Sequence, residues 1–236
     1  MDKSTKTPQA SEQDIANVMR GRAKTYAFLS RLYRTEVDQE FLDTMHGMRF
    51  PAASGNHEVD EGNRLIAHYM SNIWANTLTE LAIDYVRVFI GHGNDGYSAA
   101  YPFESVYTSE KRLLMQEARD EVVACYRAHG LAKSPDWPEC EDHVGLELEF
   151  MMTLAERAAN ALEAGDEDDA IESLQVQQAF LREHLCAWTP MLTADMRTLA
   201  QTDLYRGLAA LTDGYLASDL ELLNALLAGV DAAAQE

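Results

Sequence analysis

The sequence predicts an all-α protein, built as a bundle of amphipathic helices. Apolar residues recur at intervals of three and four over most of the 236 residues, which is the spacing of one helical face. No stretch fits a β-hairpin better than it fits a helix or a loop. Hydrophobic residues make up 47% of the chain, so enough apolar surface is available to form a compact core.

The predicted N-terminal half covers residues 12–128, after a polar segment 1–11 that we expect to be frayed. One apolar stripe predicts a long first helix, and Asp38 is the predicted cap of a short second helix. Residues 51–63, with their glycines and asparagines, are predicted to form a loop. Two consecutive helices follow, and another is predicted over about residues 109–128. The apolar positions of these five helices are Ile15, Val18, Met19, Ala23, Tyr26, Leu29 and Tyr33; Phe41, Leu42 and Met45; Leu65, Ile66, Tyr69, Met70 and Ile73; Leu78, Leu81, Tyr85, Val88 and Phe89; and Leu114, Ala118, Val122 and Cys125.

Residues 129–140 are the predicted hinge between two helical halves. They contain Pro135 and Pro138, and proline both ends helices and restricts the residue before it to extended backbone. The C-terminal half is predicted to cover residues 141–236 as a second bundle. A long irregular segment, residues 91–105, lies inside the first half, and loops of this length in compact domains are often functional.

Within the C-terminal half, two apolar stripes predict long helices that meet at an acidic turn capped by Asp166. Pro190 is predicted to end the second of these helices. A further helix is predicted over residues 204–215, and a capping box at residues 218–221 is predicted to open the last helix. The two long stripes are Val144, Leu148, Met151, Ala155, Ala158 and Leu162; and Ile171, Leu174, Gln178, Leu181, Leu185 and Trp188.

The charge balance excludes several classes of partner. Thirty-nine acidic and 19 basic residues give a net charge of −20 at pH 7. Binding to nucleic acid or to an anionic membrane needs a cationic face, so neither is expected as a primary partner. A cationic peptide or a basic protein segment suits this negative field better.

The cysteines and the N-terminal segment indicate a cytoplasmic protein. Cys125, Cys140 and Cys186 are widely spaced and form no CxxC pair, so neither a disulfide framework nor a zinc site is predicted. Residues 1–14 lack the apolar stretch of a secretory signal. The longest uncharged stretch, residues 65–79, is too short to span a bilayer, so no stable membrane insertion is expected.

The motifs of catalysis have little support. A di-metal site in a helical bundle needs Glu three residues before His, and none of the seven histidines has it; Glu139 and His143 give only a weak metal prediction. Residues 91–96 fit GxGxxG, but no strand precedes them and no amphipathic helix follows, so a flexible loop explains them better. We therefore predict no catalytic, metal-binding or cofactor-binding residue and no enzymatic activity.

The segment Trp137–His143 concentrates three carboxylates, an imidazole and an indole at a loop-to-helix boundary. One interpretation is an acidic helix N-terminus stabilised by the helix dipole. The other is a binding site, in which the carboxylates accept hydrogen bonds from a guanidinium and the indole supplies an apolar or cation–π surface.

Four ordered segments point to a family. Glu139-Cys140-Glu141-Asp142-His143 is similar to an E-P-x-D-H motif, with Cys140 in place of the proline. The other three are Asp84-Tyr85-x-Arg87-x-Phe89-x-Gly91, Tyr101-Pro102-Phe103-Glu104-Ser105-Val106-Tyr107 and Phe180-Leu181-x-x-His184-Leu185-x-x-Trp188-x-Pro190. Together they resemble the TorD/DmsD family of redox-enzyme maturation chaperones, over about residues 12–217.

The resemblance implies a cytoplasmic all-helical chaperone of the TorD/DmsD type. Such a chaperone binds the twin-arginine signal peptide of a molybdenum-cofactor oxidoreductase, and in some members the apoprotein body, and delays export until the cofactor is loaded. It also implies a monomer or a domain-swapped homodimer. Weak guanine-nucleotide binding occurs in some members, but no motif here indicates a site. The alternatives are an acidic helical regulator that binds a cationic protein, and a small helical enzyme.

We expect the peptide to bind where residues 91–105 approach residues 139–143. Its arginines would meet acidic side chains, and its apolar part would lie along aromatic rings. Neighbouring carboxylates are expected to raise the pKa of His143; a neutral His143 hydrogen-bonded inside the hinge is the alternative. The predicted peptide-binding residues are Tyr101, Pro102, Phe103, Glu104, Ser105, Trp137, Glu139, Glu141, Asp142 and His143.

Overall fold

A computed structural model describes residues 12–91 and 98–233 of the chain. This part is helical, as predicted. The helices are α1 (Glu12–Arg34), α2 (Gln39–Gly47), α3 (His57–Met70), α4 (Thr77–Tyr85), α5 (Glu104–Thr108), α6 (Glu117–Ala128), α7 (Val144–Ala164), α8 (Glu167–Phe180), α9 (Cys186–Leu199) and α10 (Asp203–Ala233). Two π-helical turns, Val86–Ile90 and Leu181–Leu185, continue α4 and α8.

Helices from both predicted halves share one hydrophobic core. The most extensive contacts join α1 to α7 and α3 to α10, and α8 packs against both α7 and α10. The core includes Tyr26 of α1, Leu148 and Met151 of α7, and Leu208 of α10, all fully buried. The division of the chain at residues 129–140 stays a prediction.

Several helix ends follow the sequence prediction. Asp38 caps α2, where its carboxylate accepts from the backbone NH of Phe41 at 2.8 Å. Asp166 caps α8 by accepting from the NH of Asp169 at 3.2 Å. Gly165 ends α7 in the left-handed conformation (φ 72°), which glycine adopts without steric cost.

The loop predicted for residues 51–63 is wrong from His57 onward, where α3 begins. Asn56 caps this helix through its side-chain oxygen. Gly62 serves close packing rather than a loop, because a Cβ at this position would lie 2.6 Å from the backbone nitrogen of Leu211 in α10. The absence of a side chain lets the two helix backbones approach each other.

The helix predicted from about residue 109 begins only at Glu117. A short helix, α5, ends before it, and the chain then takes left-handed backbone at Arg112 (φ 50°) and Met115 (φ 58°). A right-handed helix cannot continue through such residues.

Two predictions for the C-terminal half are also wrong. Pro190 lies inside α9 instead of ending a helix. The π-helical turn directly before α9 already interrupts the regular hydrogen-bond pattern, so the chain continues past the proline. Residues 218–221 lie within the continuous α10, and the Ser218 hydroxyl accepts from the side chain of Asn56 instead of capping a helix.

None of the helices within residues 12–91 and 98–233 is both long enough and apolar enough to cross a membrane.

Candidate functional site

Two motif segments lie side by side in the structure and form what we call the junction, residues 101–105 together with residues 137–143. Phe103 and His143 form an antiparallel β-bridge. Beside it, the backbone NH of Glu104 donates to the carbonyl of Asp142 at 3.0 Å. The junction therefore joins the start of α5 to the start of α7.

Asp142 is a fully buried carboxylate that ties the junction together. One oxygen accepts from the backbone NH of Ser105 at 2.9 Å and from the Ser105 hydroxyl, and so caps the first turn of α5. The other oxygen, Oδ1, has no hydrogen-bond partner among the described residues. Asp142 thus has a structural role and retains one unused acceptor.

Glu104 forms a buried ion pair with His184 of the π-helical turn. The carboxylate lies 3.0 Å from Nδ1 of His184, and Nε2 on the other side of the ring lies 3.9 Å from the sulfur of Cys125. Burial opposes a charge on His184, but hydrogen bonds to Cys125 and Glu104 and the charge of Glu104 raise its pKa to about 10. His184 is therefore an imidazolium at neutral pH, which links α5, α6 and the end of α8.

Glu147 is a second buried carboxyl group, one turn into α7. One oxygen accepts from the indole NH of Trp188 at 3.1 Å, and Oε1 has no partner in the described part of the chain. Burial, together with the charge of Glu104, raises the pKa of Glu147 well above its usual range. The carboxyl group is therefore stabilised in its protonated form.

Trp137 lies at the surface end of the junction, between a guanidinium and an imidazole. The Arg34 guanidinium is 4.5 Å from the indole ring centroid, and the His143 ring meets the indole edge-on at 5.5 Å. Arg34 also donates to Glu149 of α7 at 2.7 Å. One arginine of α1 is thus held by a carboxylate and an aromatic face together.

The predicted rise of the His143 pKa is wrong. Burial, together with the charge of Arg34, lowers the pKa of His143 to about 3. Its Nδ1 accepts from the backbone NH of Gly145 at 2.9 Å and caps α7, which needs the neutral ring. The neighbouring carboxylates face elsewhere, Asp142 towards Ser105 and Glu141 towards Arg119 at 2.8 Å. His143 is therefore a neutral helix cap at physiological pH.

Two adjoining cavities open beside the junction and share Arg34 and Glu149. One, of about 260 Å³, lies between α7 and residues 131–134. The other, of about 360 Å³, lies between α1 and α7 and is lined by Trp137 and Met152. Apolar, aromatic and charged groups therefore meet in one surface region.

The ten predicted peptide-binding residues differ widely in exposure. Glu139 is exposed, and Glu141 is half-buried and paired with Arg119, whose hydrogen bond lowers the pKa of Glu141. The partly exposed residues further include Tyr101 and Trp137. The buried ones are Pro102, Phe103, Glu104, Ser105, Asp142 and His143. The acids at 104 and 142 are engaged inside the fold, and binding of a peptide by these ten residues stays a prediction.

No group of three or more histidine, cysteine or acidic side chains is placed to hold a metal ion within residues 12–91 and 98–233. Of the two residues in the weak metal prediction, Glu139 is exposed and His143 caps α7. The three cysteines are free thiols. The GxGxxG segment lies, apart from Gly91, outside the described residues.

Comparison with known proteins decides the family. A sequence model of the nitrate reductase delta subunit family matches residues 52–194, more than half of the chain. The chaperone protein TorD of Vibrio vulnificus is 30% identical over 191 residues, 75% of this chain and 83% of that protein. The chain belongs to the TorD family of chaperones. TorD of Vibrio cholerae is 26% identical over 220 residues, 91% of this chain and 97% of that protein.

Membership in the TorD family confirms the resemblance drawn from the four motif segments. The relatives are named as chaperones, which agrees with the prediction that the chain is not an enzyme. The match extends over nearly the full length of the Vibrio cholerae protein, so the assignment covers the helical fold as a whole rather than one motif.

Sequence reasoning missed three residues that shape this region: Arg34, Glu147 and Glu149. His184 lies in a quoted motif segment, but its sequence context indicated no role for it. Glu147 carries a usable signal, because it is a charged residue beside the apolar positions Val144 and Leu148 of one helix. Arg34 and Glu149 carry none, since both lie on polar helix faces and only tertiary packing brings them to Trp137.

Proposed function

We propose that the chain is a cytoplasmic chaperone that binds the twin-arginine signal peptide of a molybdenum-cofactor oxidoreductase. Binding delays export of that enzyme and assists cofactor loading into its apoprotein. TorD-family membership supports this proposal, and so does the net charge of −20, which suits a ligand with paired arginines. A weak guanine-nucleotide site and a domain-swapped homodimer remain predictions of the family resemblance.

The peptide site that we propose comprises the two cavities beside Trp137. The observation that carries this placement is the position of Arg34, whose guanidinium contacts the Trp137 ring and the Glu149 carboxylate at once. A signal-peptide arginine would find the same pair of contacts, a carboxylate and an aromatic face. Arg34 therefore occupies the position that a ligand arginine would take, and exposed Glu139 offers a second carboxylate nearby.

The apolar part of the peptide would lie along the wall formed by Leu131, Leu146, Phe150 and Met152, which line the two cavities. Burial of this segment supplies affinity, whereas the exposed carboxylates supply orientation and faster association. The buried acids Glu104 and Asp142 hold α5 and α7 in place and do not contact the peptide directly.

Titration calorimetry with a synthetic twin-arginine peptide tests the placement. We expect Glu149→Gln and Glu139→Gln each to weaken binding five- to tenfold, about 1 to 1.4 kcal/mol. Glu172→Gln, the same charge change on α8, is the matched control, because α8 lines neither cavity. Arg34→Gln frees the Trp137 face and should strengthen binding several-fold.

Two results would contradict the proposal at different levels. Equal affinities for Glu149→Gln, which lines both cavities, and Glu172→Gln would remove the site from these cavities but leave peptide binding intact. Failure of the unmodified chain to distinguish the twin-arginine peptide from a twin-lysine version would contradict arginine recognition itself, because lysine cannot make the planar two-point contact.

A further inference from the structure

Cys125, His184 and Glu104 form a line of three side chains that peptide binding does not use. The sulfur of Cys125 lies 3.9 Å from Nε2 of His184, and Nδ1 of the same ring lies 3.0 Å from the Glu104 carboxylate. Glu104 and His184 are buried, whereas Cys125 is half-buried on α6 and within reach of solvent. A thiol, an imidazole in contact with it and a carboxylate that orients the imidazole are the parts of an activated nucleophile.

We propose that Cys125 is a reactive thiol that forms mixed disulfides with small-molecule disulfides, assisted by His184 and Glu104. The inference concerns a modification site and does not depend on the peptide site. It requires no metal or cofactor, since the disulfide itself is the oxidant.

The step balances as thiol–disulfide exchange. Cys125, as thiolate, attacks one sulfur of the disulfide along the S–S axis, so that a new S–S bond forms and the old one breaks. The released half departs as a thiolate and is protonated by solvent, and the small disulfide is reduced while Cys125 is oxidised. His184, as imidazolium, stabilises negative charge on the attacking sulfur, and Glu104 fixes the ring orientation.

The two other cysteines provide internal controls. Burial and then the nearby charges of Asp142, Glu141 and Glu139 raise the pKa of the Cys140 thiol. Burial, with the charges of Asp219 and Asp213, raises the pKa of Cys186 to about 11. Both thiols have acidic neighbours that disfavour a thiolate. The Cys125 sulfur differs in its geometry, because Nε2 of His184 lies 3.9 Å from it. All three cysteines are half-buried, so a difference in burial would not explain a difference in their reactivity.

The first experiment uses the unmodified protein with a limiting amount of 4,4′-dithiodipyridine, an uncharged disulfide that the acidic surface does not repel. Peptide mapping by mass spectrometry then identifies the cysteine modified first. We expect Cys125 to carry most of the label. Preferential labelling of Cys140 or Cys186 overturns the proposal, and no substitution that could disturb folding is involved.

The second experiment measures rates on single-cysteine proteins. In the Cys140→Ser/Cys186→Ser protein we expect thiopyridone release about tenfold faster than in proteins that retain only Cys140 or only Cys186. His184→Gln in that background should slow the reaction about tenfold, and Glu104→Gln, which keeps a hydrogen-bonding oxygen for the ring, should slow it less. Unchanged rates in both variants, with native circular dichroism spectra, would show that His184 does not assist Cys125 and overturn the proposal.

Discussion

Two buried polar networks cross this fold, one between α1 and α10 and one at the junction of α5 and α7. In the first, Arg22 donates to both oxygens of Asp219, at 2.6 and 2.8 Å, and to Gln177 at 2.6 Å. Tyr26 donates to the same Asp219 at 2.5 Å. Each charge in this network thus has a partner of opposite charge and further hydrogen bonds.

The network formed by the junction and the adjoining Glu147 has fewer of its buried polar atoms in hydrogen bonds. Asp142, Glu147 and Trp137 each keep a buried polar atom without a hydrogen-bond partner within residues 12–91 and 98–233. Each such atom costs about 1–3 kcal/mol relative to a satisfied one, so the surrounding packing must offset it. Incomplete pairing of buried polar atoms is typical of a functional site, whereas complete pairing in a core serves stability.

The largest expected effect is at the core network. Asp219→Ala leaves the buried charge of Arg22 with Gln177 but without a partner of opposite charge, and we expect a loss of about 4 kcal/mol in the free energy of unfolding. Removal of both charges together, as Arg22→Met with Asp219→Leu, should cost clearly less. Urea unfolding at pH 7 measures the free energy of unfolding of the single and the double variant. A loss below about 1 kcal/mol for Asp219→Ala would show that this network does not stabilise the packing of α1 against α10.

A smaller loss of stability is expected for His184→Gln, which removes the ion-pair partner of the junction residue Glu104. Loss of the Glu104 ion pair should cost about 2 kcal/mol at pH 7. Because the folded-state pKa of His184 is raised to about 10, its stabilisation is complete below the unfolded value of about 6.5 and is lost as pH rises through 10. The stability difference between wild type and variant should therefore shrink as pH rises from about 6.5 to about 10, and a constant difference would contradict a charged His184.

The smallest effect is expected for Glu147→Gln below about pH 4.5, where it should change the free energy of unfolding by less than about 1 kcal/mol. Burial raises the pKa of Glu147, so the wild-type carboxyl group is protonated and glutamine resembles it in shape and charge. Because the pKa of Glu147 is higher in the folded than in the unfolded state, wild type should lose stability relative to the variant as pH rises above about 4.5. Wild-type stability that rises with pH relative to the variant would mean that Glu147 is ionised in the fold.

The helices that the sequence predicts correctly are those with local signals. Asp38 and Asp166 cap helices through atoms three residues away, so the pattern contains the cause. The errors arise where tertiary contacts decide. Gly62 looks like a loop residue until α10 packs against it, and Ser218 looks like a helix cap although its hydroxyl accepts from Asn56 within a continuous helix.

The junction shows the same limit. Its motif residues are conspicuous in the sequence, but the sequence does not reveal that Glu104 and Asp142 face inward or that His143 is a neutral cap. Burial reverses the expected direction of the His143 pKa, because the carboxylates beside it along the chain point away from it in space. Charge proximity along the chain is a weak guide to charge proximity in the fold.

Hydrogen–deuterium exchange with and without a saturating twin-arginine peptide tests most directly whether the peptide binds in the two cavities beside Trp137. We predict slower exchange in residues 27–35 and 131–137, several of which line the two cavities, and no change in the C-terminal part of α10, which lines neither. Protection confined to α10 or to the exposed apolar face around Ile83 and Ile90 would contradict the account, because the peptide would then bind away from Trp137 and Glu149.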